Sequence, residues 1–193
     1  MMIAALAIAA GFAAADFAYW IEPCDPVQSA CKASDPELAE WALQAWQKAA
    51  GETTLKFTKV ASKSDAHIRV YWVSQRTGLY GEARPIVVKG KRGAELYVRP
   101  EMDGLGDDIA AAAKRDPLLR DAIVYLTCLQ ESGHALGLGH TADFNDIMYS
   151  FGFGGDIVEY FGRYRRKLAA RADIPKHSGI SKADLQRLLR SIP

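Results

Sequence analysis

Four side chains around position 130 have the types and spacing of a metal site. Gln130 and His134 are four residues apart and would share one face of a helix, with Glu131 beside the first. Gly137 is placed to end that helix in a left-handed conformation, turning the chain back so that His140 approaches the point His134 faces. Two imidazoles and an amide could then converge on one cation, with a carboxylate next to them. Such a set suits metal-assisted hydrolysis, in which an ion lowers the pKa of a water and a carboxylate takes its proton. Eight residues after His140, Met148 stands within Asp146-Ile147-Met148-Tyr149, which suits a tight turn beneath the site.

The elements that must position these groups are legible in outline. Ser34 followed by Glu37 reads as a capping box with Pro36 near the first helical position, and Gly51 ends the helix. Its apolar face is Leu38, Trp41, Ala42, Ala45, Trp46 and Ala49, which puts both tryptophans in the core. Thr54 to Val60 and His67 to Val73 have strand character, the second alternating Ile68, Val70 and Trp72 with Arg69 and Tyr71. Ile86 to Lys89 and Glu95 to Arg99 read as two short strands joined by a turn at Gly90 to Gly93, toward the sheet edge. Pro117 after Asp116 starts the helix that carries the chemistry, with Leu118, Ala122, Ile123, Leu126 and Leu129 on its apolar side. Beyond a glycine-rich stretch from Phe151 to Gly155, the basic run Arg163, Arg165, Arg166, Lys167 and Arg171 reads as a solvated helix face rather than a site for an acidic substrate. Ser181, with Asp184 three residues on, caps a last helix.

Composition narrows the function. The 193 residues are 49% apolar and 24% charged, which suits one globular domain, and a net charge of +1 gives no global attraction for nucleic acid or an anionic membrane. The apolar run from Ile3 to Ala15 is too short to span a bilayer but has the length of a signal-peptide core, with Ala13 to Ala15 before a cleavage point at Asp16, although no basic residue precedes it. Residues 1–15 are therefore expected to be a leader and the protein to be exported. Cys24 and Cys31 are close enough to close a small disulfide loop in an oxidising compartment, leaving Cys128 as a buried thiol.

These residues together resemble the metzincin metallopeptidases, whose pattern is H-E-x-x-H-x-x-G-x-x-H followed by a Met-turn. Glu131, His134, Gly137, His140 and Met148 stand at family positions. The likeness is to the matrixin branch, the matrix metalloproteinases, because Trp46, then Leu55 to Val60 and Ala66 to Ile68, resemble its first helix and following strands, and Ile180 to Leu185 its last helix. The resemblance implies an α+β fold: a metzincin-like catalytic domain with a twisted mixed sheet, two main helices, a Met-turn and a C-terminal helix. It implies one domain over residues 16–193, with an upper lobe over about 35–140 and a lower lobe over about 141–193. It further implies a zinc-dependent endopeptidase with Glu131 as general base, Met148 packed under the metal, Tyr149 lining a specificity pocket, and an extended peptide paired to a strand near Glu95 to Arg99. Cys24, in Glu22-Pro23-Cys24-Asp25-Pro26, is similar to the pro-segment cysteine that blocks the metal in matrixins, but Cys31 is its simpler partner.

One position departs from the pattern: the first metal-binding His of the family is Gln130 here. A carboxamide oxygen is neutral and reaches about as far as the outer imidazole nitrogen, but it suits harder ions than zinc, so weaker zinc binding is expected. Either Gln130 binds the metal itself, the favoured reading, or His177, His67 or Asp156 completes the set. Two rival functions follow: a peptide-binding module that no longer cuts, and a metallohydrolase acting on something other than protein.

Overall fold

The computed structural model describes residues 14–74 and 80–192. In chain order the elements are β1 (Ala15–Ile21), α1 (Pro26–Ser29), α2 (Asp35–Ala50), β2 (Leu55–Lys59), β3 (Ile68–Trp72), β4 (Gly81–Val88), β5 (Lys91–Val98), α3 (Asp107–Arg115), α4 (Pro117–Ala135), α5 (Ile157–Arg165) and α6 (Lys182–Ser191). The strands form one mixed sheet in the order β2-β1-β3-β5-β4, parallel except for the β4–β5 hairpin. The two long helices, α2 and α4, pack together, and Trp46 of α2, fully buried, donates its indole N–H to the Leu129 carbonyl of α4 at 2.9 Å. This is the α+β arrangement the sequence implies. The expected leader, apart from its last two residues, lies outside the described residues.

Four local expectations are corrected. β1 begins at the last residue of the apolar leader run and was not expected, yet it is interior, pairing with β2 on one side and β3 on the other; Tyr19 and Ile21 are buried while Trp20 is only partly covered. The hairpin turns at Lys89 and Gly90, whose φ values of 50° and 79° are those of a tight two-residue turn, so both strands are longer than expected and Gly93 lies inside β5. Gly93 is there because the His67 backbone would collide with any side chain. Glu95 to Val98 lies between β3 and β4, and β4 is the edge strand on that side of the sheet. Ser34 makes no side-chain cap to α2. Asp35 accepts the Lys32 N–H at 2.8 Å instead, and Glu37 is drawn to Arg171.

Asp35 is itself fully buried, and both of its oxygens accept from Arg120 of α4. Asp121, the next residue, holds Lys32 and Arg171, each at 3.3 Å. The pair thus ties α2 to α4 below the sheet. Trp41, expected in the core, is only partly buried and carries the Arg171 guanidinium over its ring at 4.7 Å. Three members of the basic run are paired with acids: Arg165 binds Asp116, Arg166 binds Glu159, and Arg171 binds Glu37. Cys24 and Cys31 are joined by a disulfide with Cα atoms 5.8 Å apart, and Cys128 is buried. Among the described residues no helix is long and apolar enough to cross a membrane. Asp35→Ala strands a buried guanidinium and should lower unfolding free energy by about 3–5 kcal/mol, read as a shifted urea midpoint. A change below about 1 kcal/mol would show the pair to be dispensable.

Candidate active site

α4 begins with Asp116 capping the Leu118 and Leu119 N–H groups and runs to Ala135. Its C-terminal end sets the site. Gly137 takes φ of 95°, its N–H bonds the His134 carbonyl, and the Leu138 N–H reaches back to the Gly133 carbonyl at 3.0 Å. That left-handed termination reverses the chain. It brings His140 Nε2 to 3.1 Å from His134 Nε2, with the two rings nearly perpendicular.

The outer hydrogen bonds decide what these atoms can do. His134 Nδ1 lies 2.8 Å from the Leu138 carbonyl, which can only accept, so Nδ1 carries the proton and Nε2 presents a lone pair. Burial lowers the pKa of His134 and favours that neutral form. At zinc–nitrogen bond lengths of about 2.0–2.1 Å, two nitrogens this far apart subtend about 100°, close to tetrahedral. The imidazole pair therefore fits a zinc ion.

Gln130 lies on the same end of α4, and its amide nitrogen donates to the Tyr149 carbonyl at 2.8 Å. Because a carbonyl accepts only, the bond fixes the amide orientation and leaves the Gln130 oxygen as the acceptor end of the group. Gln130, Glu131 and His140 line one cavity of about 170 Å³ with Tyr80, Gly81 and Phe151. Among the described residues no three His, Cys, Asp or Glu side chains are grouped to hold an ion. The other candidates are engaged elsewhere: His67 Nδ1 accepts the Ala18 N–H at 3.0 Å within the sheet, and Asp156 caps α5 through Val158 and Glu159. His177 does not line the cavity.

Glu131 is 4% exposed. Burial, with a smaller contribution from Glu82, pushes its pKa up to about 8. A Cβ on Gly81 would overlap the Glu131 carboxylate and lie 2.9 Å from Thr127 Cγ2, so only glycine lets the edge strand close over the base. Neither Gly81 nor Thr127 carries a sequence signal, because their role appears only when β4 meets α4.

Met148 is fully buried under this end of α4, where a Cβ on Gly133 would come within 2.5 Å of its sulfur. The turn that carries Met148 is pinned from both sides. Thr141 N–H bonds the Met148 carbonyl, and Asp184 of α6, capped by Ser181, accepts the Ile147 N–H at 2.7 Å. Asp146 accepts from Thr141, Ser181 and Arg187. Tyr149 is buried, its hydroxyl bonded to the Gly154 carbonyl and its ring packed against Phe144, Phe151 and Tyr160.

An imidazole on α4 and another just beyond its end thus stand near the buried Glu131 carboxylate, over the turn that carries Met148. The matrixin family model matches residues 13–153, and the chain belongs to that family, whose members are zinc-dependent peptidases. Among solved structures the chain is similar to archaemetzincin from Methanopyrus kandleri, at 15% identity, covering 96% of this chain and 98% of that one, with a TM-score of 0.43. No curated protein sequence matches it significantly. Gly133→Ala tests the methionine contact: better helix propensity favours alanine by about 1 kcal/mol, but overpacking costs about 1–3 kcal/mol. Net destabilisation in urea unfolding is expected, and a stabilised variant would contradict the packing described.

Proposed function

We propose that this chain is an exported zinc-dependent metalloendopeptidase in which His134, His140 and Gln130 hold the ion and Glu131 is the general base. The observation that carries the reading is the convergence of the two imidazole Nε2 atoms, 3.1 Å apart, at the end of the helix that buries Glu131. The bound ion would supply a Lewis acid and a water of lowered pKa. Glu131, held against Gly81, takes a proton from the attacking water and returns it to the leaving amine. The Cys24–Cys31 disulfide supports export to an oxidising compartment and removes Cys24 as a free thiol that could block the ion.

Substrate would add to the free edge of the sheet as an extended strand. That edge is β4 and not Glu95 to Arg99. The Arg99 N–H bonds the Tyr80 carbonyl, which sets the phase of the hairpin: Gly81, Ala83 and Pro85 turn their backbone groups outward. Pro85 has no N–H, so Gly81 and Ala83 offer the usable donors, next to the base. A second reading, a peptide-binding module that does not cut, is favoured by the commitment of the Gln130 amide to Tyr149 and by the presence of only two imidazoles.

Zinc-loaded protein incubated with an unfolded protein substrate separates the two readings. Glu131→Gln should lower cleavage by about 10²–10⁴-fold with zinc still bound, whereas peptide binding without cleavage in the wild type supports the second reading. Gln130→His should tighten zinc in calorimetry, since imidazole is the better donor. Unchanged affinity would show that Gln130 does not face the ion.

A further inference from the structure

A second cavity, of about 140 Å³, lies behind the first and shares Leu126, Ile147 and Tyr160 with it. Its polar lining comes from Asn145, Arg163 and Lys167. The two tyrosines in its wall have bonded hydroxyls, Tyr160 to the Asp146 carbonyl at 3.0 Å and Tyr164 to the His177 carbonyl at 2.6 Å. The cations are less occupied. Arg163 holds its guanidinium over the rings of Phe144 and Tyr160, at 4.9 and 4.6 Å, and bonds Asn145 Oδ1 at a long 3.4 Å. Lys167 follows four residues later, just past the end of α5.

The nearby carboxylates are engaged elsewhere. Glu159 binds Arg166, Asp116 binds Arg165, Asp143 accepts from Asn145, and Asp146 and Asp184 both bind Arg187. Among the described residues neither Arg163 nor Lys167 makes an ion pair. Contact with the two rings, themselves at 74° to one another, limits where the guanidinium can move, and its planar fork of N–H donors has the geometry that binds a carboxylate with two bonds. Leu126, Ile147 and Gly179 line the rest, so an aliphatic stem behind the carboxylate finds an apolar wall.

We infer that the cavity at Arg163 and Lys167 is a carboxylate site, and, resting on the peptidase reading, that it takes an acidic side chain of the substrate. The shared wall at Tyr160 places it beside the cavity that holds the base, and α5 supplies Arg163.

Two arms test it. In the first, thermal unfolding of the whole protein is followed against glutarate, with neutral glutaramide and sodium chloride of equal ionic strength as controls. A saturable rise in midpoint with glutarate alone is expected, weakened about ten-fold in Lys167→Ala and lost in Arg163→Ala. Lys167 is exposed, so its variant remains informative if Arg163→Ala fails to fold. No rise beyond the chloride control, or a rise unchanged in Lys167→Ala, overturns the site. In the second arm, cleavage of a peptide library by the zinc-loaded protein should enrich Glu or Asp at one position, with the enrichment reversed in Lys167→Glu. Glutarate binding with cleavage but no acidic enrichment overturns the substrate assignment and leaves a site for free carboxylates. Glutarate binding without any cleavage supports the site while the peptidase reading fails.

Discussion

The whole arrangement depends on how one helix stops. Gly137 adopts a conformation that costs a side-chain-bearing residue roughly 1–2 kcal/mol, and the two backbone bonds it closes reverse the chain within a single turn. Without that reversal His140 would continue away from α4. With it, two imidazole Nε2 atoms from residues six apart meet at 3.1 Å, and the His134 ring is held in one tautomer by the Leu138 carbonyl. The site is made by backbone geometry first and by side-chain chemistry second.

What keeps that geometry rigid lies below and beside it. The Met148 turn is fixed by Asp184 and Asp146, carboxylates that bind backbone N–H groups, hydroxyls and Arg187 together, so the last helix is part of the site's foundation. The Asp35–Arg120 pair plays the same part at the other end of α4, holding it to α2. On the third side Gly81 brings the edge strand against Glu131, which excludes water from the carboxylate and raises its pKa.

α4, Gly137 and the Ser181 cap were legible because each depends on local spacing: apolar residues three and four apart, a glycine after the last turn, an acid three residues after a serine. β1 was not, because Asp16 to Ile21 shows no strict alternation and its two parallel partners, β2 and β3, are distant in sequence. Ser34 failed as a cap because Asp35 and Glu37 are drawn to arginines 85 and 134 residues away, and no local rule anticipates such partners. Gly81 and the Arg163 cavity were invisible for the same reason, since both arise where separate segments meet. The edge on the hairpin side is β4, one strand further out than Glu95 to Arg99, because β5 and not β4 pairs with β3, a long-range choice that local spacing does not record.

Gln130 is where the family pattern and this chain differ, and the structure gives its amide a defined orientation, nitrogen to Tyr149 and oxygen left to accept. X-ray absorption spectroscopy at the zinc edge of the zinc-loaded protein bears most directly on this. The account predicts two imidazoles per zinc at about 2.0–2.1 Å, the remaining donors oxygen, and no sulfur. A shell with three imidazoles, with sulfur, or with a single imidazole would contradict it.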